Sequence, residues 1–343
     1  MPRSLAIWIF TFSAALAWSA QGLGQAPVKE KPKAPVKEKP KSPAAEEAPQ
    51  KQREQDDQPA PKPSQFLRLV KDKQGNPVAM ETAIVRYVPQ DCGQTGPTVD
   101  LIGAVHIAEK SYYKRLNEEF KNYDVVLYEL VAPEGTRVPK GGARSGHPVS
   151  ALQRGMTQLL ELTFQLDEID YTAKNLAHAD LSPEALSKAM QKRGESLWTM
   201  LLRSMGYALA KQNSSKGGAS DVDLLLALMD KNRALALKRV MAEQFQDMEG
   251  MMRAMAGPDG SALIADRNQA ALKVLKQKIA DGKGKVGIFY GAGHMSDMEK
   301  RLRDDFALAP IQTRWLPAWD LKRDQKAKGP EKAPSGGAGK KEK

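Results

Sequence analysis

Along residues 65–71 polar and apolar positions alternate with a period of two, turn-forming residues occupy 72–77, and an extended pattern resumes over 78–88 with Ile84, Val85 and Tyr87. This spacing predicts a β-hairpin that feeds a sheet. After a Gly/Pro-containing loop at 89–97, residues 100–106 form a short apolar run that ends in Gly103-Ala104-Val105-His106. Residues 111–122 have helical spacing, with Tyr112, Leu116 and Phe120 on one face, and 124–130 is a third strand, apolar after Asp124 except for Glu129. Strand, helix and strand in about thirty residues predict a right-handed parallel βαβ unit, which sets the Glu129 strand beside the His106 strand.

The pattern then changes. A Gly/Pro/Arg loop at 133–148, expected to rim or cover a site, precedes a region from about 149 to 280 with a helical period and almost no strand signal. Leu152, Met156, Leu159, Leu160 and Phe164 mark one helix, Ser182-Pro183-Glu184 opens another with an N-cap and Pro at its first position, and 196–210 forms a third. Further helices are expected within 221–255 and over 262–280. Residues 285–294 repeat the earlier arrangement, an apolar run ending in Gly291-Ala292-Gly293-His294, followed by a helix at 295–305 and a closing extended segment at 310–319. The expected fold is therefore α/β (α+β): a mixed β-sheet with two Gly-x-x-His-bearing halves and a large helical insertion.

The ends of the chain read differently. Residues 1–22 combine a basic start with an apolar run of signal-peptide length, which predicts export to the periplasm or the medium, an N-terminal membrane anchor being the alternative. Residues 23–64 are a Pro/Lys-rich linker containing a tandem repeat, 65–321 the folded domain, and 322–343 a basic tail. Of the formal net charge of +11, the tail carries +5, the linker +2 and Arg3 one more, so about +3 is left for the domain. The basic character thus resides in the tails; no nucleic-acid partner is implied, and loose contact with an anionic envelope surface is the expectation. A single cysteine, Cys92, excludes an intrachain disulfide.

With only four histidines in the chain, two placed identically at strand ends make His106 and His294 the leading candidates for metal ligation or proton transfer. A carboxylate within an apolar strand must be paired, so Glu129 is expected to ligate a metal, to act as a base with a raised pKa, or to meet a buried arginine. Arg267, early in the last helix before the second Gly-x-x-His strand, is either that partner or a clamp for substrate. His178 and Asp180, just before Ser182-Pro183, are weaker candidates, and His147 weaker still. The Met cluster between Met229 and Met255 reads as core filling.

In that order along the chain, Gly103-x-x-His106, the strand ending at Glu129, the Arg267-Asn268 step and Gly291-x-Gly-His294 resemble the TraB/PrgY/GumN family, related to the Tiki proteases within the erythromycin-esterase/ChaN-like superfamily. The resemblance spans roughly residues 66–319. It implies two repeated halves and a metal-dependent hydrolase, most concretely a peptidase acting on a peptide or protein. His106, His294 and Glu129 would then hold a divalent ion (Mn, Co or Zn), with Arg267 and Asn268 as polar support or steadying an oxyanion. Other family roles imply alternatives: a non-catalytic protein that binds a peptide or haem-like ligand, or a metal-free esterase-like hydrolase in which His106 and Glu129 act as base.

Overall fold

The computed structural model describes residues 65–322 except 92–95, 134, 137, 140–154, 156, 197, 201, 204, 207–220 and 246–259. The expected signal peptide, linker and tail, Cys92, His147 and most of the Met cluster lie outside the described residues. Its main element is a seven-stranded mixed sheet. The hairpin forms as expected from β1 (Leu67–Lys71) and β2 (Pro77–Pro89), with Asp72 closing the turn by accepting from the Gln74 and Asn76 N–H groups, both at 2.9 Å. β3 (Thr98–Ala104) pairs antiparallel with β2, and β9 (Leu308–Asp320) covers the other edge of β2.

The rest of the sheet is parallel and carries the site. Its order is β3, β8 (Lys285–Gly291), β5 (Val125–Tyr128), β7 (Leu176–His178). Two expectations are corrected here. β5 is not beside β3: β8, more than 150 residues later, inserts between them, so the crossover from β3 through helix α1 (Lys110–Phe120) skips one strand. The region 149–280 is also not purely helical, because β7 joins the sheet and β6 (Thr163–Phe164), which holds the Phe164 expected on a helix, pairs with β4 (Ile107–Ala108). Strands of two or three residues leave no readable periodicity. The helical remainder includes the single turn α2 (Gln165–Glu168), α3 (Pro183–Lys192), α4 (Asp221–Met229), α5 (Arg233–Phe245) and α6 (Arg267–Ala280), the last entered through a π-helical turn, Ala262–Asp266. As expected, Ser182 caps α3, its hydroxyl accepting from the Ala185 N–H at 3.2 Å.

Both faces of the parallel strands are covered, which is why those strands read as nearly unbroken apolar runs. On one face Ile102, Val126, Tyr128 and Phe289 pack with Tyr112, Tyr113, Leu116 and Phe120 of α1; Phe120 and Phe289 meet edge to face at 4.9 Å. On the other, Leu101, Val125, Leu127, Ile288 and Tyr290 pack against Leu272 and Leu275 of α6 and Met298 and Leu302 of α7 (Met295–Phe306). The polar groups left over at the carboxyl ends of these strands have nowhere to go but into one another. No helix among the described residues is long and apolar enough to cross a membrane.

Candidate active site

Four parallel strands end at the same edge, and each delivers one or more of the predicted polar groups. Glu129 follows β5 directly and, continuing its alternation, falls on the face covered by α6, where Arg267 is the first residue. Arg267 Nη2 donates to Glu129 Oε1 at 2.6 Å, while the other carboxylate oxygen, Oε2, accepts the backbone N–H of Gly291 at 2.7 Å. Asp180, two residues past β7, takes the adjoining edge of the guanidinium and shares Nη2 with Glu129: Nε donates to Oδ1 at 3.0 Å and Nη2 to Oδ2 at 2.6 Å. All three side chains are sealed, with 8% of the Arg267 side chain exposed, 3% of Glu129 and none of Asp180. Two carboxylates around one guanidinium leave this buried group with one formal negative charge.

That arrangement decides the ionisation of Glu129. Burial alone would raise its pKa, but Arg267, with His294 and His106 nearby, overrides burial and holds it well below the usual carboxylate range. The expectation of a base with a raised pKa is thereby overturned. Burial likewise works against the charge on Arg267, and Glu129 and Asp180 more than restore it. The expected clamp role fares no better, since Arg267 directs its Nε and Nη2 bonds at the protein's own carboxylates and its Nη1 lies 3.4 Å from His294 Nε2.

The two Gly-x-x-His segments meet as predicted. A Cβ placed on Gly291 would lie 3.3 Å from Glu129 Oε2, 3.6 Å from His106 Nε2 and 3.9 Å from His294 Cδ2, which makes Gly291 the point on which all three converge. Its φ of −53° is ordinary, so glycine is needed here for space rather than for an unusual backbone. His294, in the 3-10 turn after β8, is 5% exposed and points Nε2 toward Glu129 Oε1 at 3.4 Å. Its Nδ1 faces Asn268 Oδ1 at 2.7 Å, and Asn268 Nδ2 donates to the His294 carbonyl at 3.0 Å and to Asp297 Oδ2 at 2.9 Å. Because both partners of Nδ2 are oxygens, Oδ1 must be the acceptor, which places the neutral imidazole's proton on Nδ1. Fully buried and committed to these contacts, Asn268 supports His294 and does not reach outward to steady an oxyanion.

His106 is the more exposed of the pair. Its segment is held at successive carbonyls: Tyr112 Oη donates to Gly103 O at 3.3 Å, Tyr113 Oη to Val105 O at 2.9 Å, the Gln165 N–H to His106 O at 2.9 Å and Trp319 Nε1 to Ile107 O at 2.7 Å. His178 stands elsewhere in the network, with Nε2 at 2.6 Å from Leu130 O and the ring edge-to-face with Tyr128; it holds the chain just after Glu129. Gln165, Tyr171 and Asp297 were missed at the sequence level. Gln165 lies in a stretch that reads as helix face, and nothing in its spacing marks it.

Among the described residues no three His, Cys, Asp or Glu side chains stand ready to hold a metal ion as they are placed. The donor chemistry nonetheless fits one: two imidazoles, each with Nδ1 against a side-chain amide, turn Nε2 toward Glu129, which together with Asp180 outweighs the Arg267 charge by one. Ligation would require Glu129 to be shared between the ion and Arg267. Comparison with known proteins found no matching family model, no similar curated protein and no similar solved structure.

Proposed function

We propose that this protein is an exported hydrolase of carbonyl-centred bonds, most concretely a metal-dependent peptidase acting on a peptide or protein, as the resemblance to the TraB/PrgY/GumN family implies. The observation that carries this reading is the convergence of His106 Nε2, His294 and the ionised Glu129 on Gly291. His106, more exposed than His294, accepts the proton of an attacking water at Nε2 and later returns it to the leaving group. Glu129, kept charged by Arg267, stabilises the imidazolium that forms, and Asp180 keeps Arg267 aimed. Asn268 fixes the orientation of His294. A divalent ion, Mn, Co or Zn, would be held by His106, His294 and Glu129; it would take the His106 Nε2 lone pair in place of that proton and would itself supply Lewis-acid polarisation of the carbonyl and a more acidic water.

One specific observation favours a second, metal-free reading: Glu129 already has a cation against it, the Arg267 guanidinium at 2.6 Å. The same proton transfer at His106 would then act alone, on an ester or amide. A peptide and ester library incubated with the full chain, with and without chelator and with Mn, Co or Zn restored, tests both. Time-dependent mass changes abolished by chelator and restored by metal support the peptidase. Activity that survives thorough chelation supports the second reading. The hydrolase reading is abandoned if the protein retains no metal under any loading and His106→Ala and His294→Ala leave the library's mass spectra as wild type does.

A further inference from the structure

We propose that Gln165 is a positioning residue that holds His106 in the Nδ1–H form and so keeps Nε2 as the proton-accepting nitrogen of the site. The inference rests on the hydrolytic reading for its purpose but not for its test. Gln165 is buried, 4% exposed, and touches His106 twice: its backbone N–H donates to His106 O at 2.9 Å, and its side-chain Oε1 lies 3.2 Å from His106 Nδ1. The other end of the amide, Nε2, donates to the Tyr171 hydroxyl oxygen at 2.9 Å, and in this orientation Oε1 faces the imidazole.

The fold contains a device that brings these two residues together. The two-stranded sheet of β4 and β6 sets Ile107 opposite Phe164, so the flanking residues His106 and Gln165 become neighbours although 59 positions separate them. The single turn α2 starts at Gln165 and leaves its N–H directed at the His106 carbonyl. Gln165 thus does for the first Gly-x-x-His segment what Asn268 does for the second: in each, one amide residue bonds both the imidazole Nδ1 and the carbonyl of the same histidine. The two amides come from unrelated elements, α2 and α6, which makes a shared demand of the two imidazoles the simplest account. A neutral imidazole with its proton on Nδ1 offers its lone pair at Nε2, on the side that approaches Gly291 and Glu129.

The tautomer is directly measurable. With four histidines in the chain, two-bond 1H–15N spectra of 15N-histidine-labelled full-length protein resolve each ring, and loss of one pattern in His106→Ala assigns the first. The wild type is expected to show His106 as Nδ1–H. Gln165→Glu, whose carboxylate can only accept from Nδ1–H, is expected to leave that pattern in place; Gln165→Leu is expected to convert it toward the Nε2–H form that an unheld imidazole favours in water. In a turnover assay Gln165→Leu lowers kcat about 10- to 100-fold with KM little changed, a loss that Gln165→Glu largely restores. An Nε2–H His106 in the wild type, a tautomer swap in Gln165→Glu, or an unchanged spectrum in Gln165→Leu overturns the proposal. Absence of turnover in the wild type would instead sink the hydrolase reading and leave the spectroscopic result to stand or fall by itself.

Discussion

Removing the Arg267 guanidinium is the perturbation whose size is best defined by the structure. Arg267→Met keeps much of the side chain's apolar volume but leaves Glu129 and Asp180, 3% and 0% exposed at their side chains, facing each other with no cation between them. Breaking a buried ion pair from one side costs about 3–5 kcal/mol, because the stranded charge remains buried. In a domain of this size each kcal/mol moves Tm by about 2–4 °C, so a fall of roughly 6–20 °C is expected by calorimetry at pH 7. The triple variant Arg267→Met, Glu129→Gln, Asp180→Asn removes the stranded charges and is expected to recover more than half of that loss. A Tm for Arg267→Met within about 2 °C of wild type, or a triple variant no better than the single one, would refute the reasoning that Arg267 is the buried counter-ion of both carboxylates.

Two further outcomes follow from the same geometry. Gly291→Ala puts a methyl 3.3 Å from Glu129 Oε2 and 3.6 Å from His106 Nε2; stability should fall by about 1 kcal/mol or less while turnover drops at least tenfold, and a variant with wild-type kcat/KM would show that the three side chains do not act at that point. Glu119, bonded by both Arg314 Nη groups and accepting from Tyr123, has its pKa pulled below the ordinary 4.5 chiefly by Arg314. A depressed carboxylate contributes stability that is complete above 4.5 and is lost as pH falls through the lower folded value. Urea midpoints should therefore be level from neutral pH to about 5 and decline below pH 4.5, with a shallower decline in Glu119→Gln; equal slopes for the two proteins would contradict this.

Local pattern carried a good deal of this fold. The β1–β2 hairpin, the α1 face of Tyr112, Leu116 and Phe120, the Ser182 cap with Pro183, and both strands ending in Gly-x-x-His were legible because each depends on residues close in sequence. The need for a partner at Glu129 was legible too, since a buried carboxylate requires one, and Arg267 was among the candidates. Strand order was not: β8 inserts between β3 and β5 through contacts made across the whole length of the insertion, and no local signal reports it. β7 escaped notice because three residues, Leu176, Ala177 and His178, are too few to show a period. Gln165 was invisible for a different reason, since its role depends on the pairing of Ile107 with Phe164. Asp180 was legible only as a weaker candidate, and the packing of α6 against β7's end shows that it shares Arg267 with Glu129.

The central claim is that two distant Gly-x-x-His segments build one hydrolytic site, and a double-mutant cycle of His106→Ala and His294→Ala on kcat/KM tests it most directly. Residues that act as a unit give grossly non-additive losses. The account predicts that the double variant is little worse than the more damaging single one. Losses that multiply, as they do for independent sites, would contradict it.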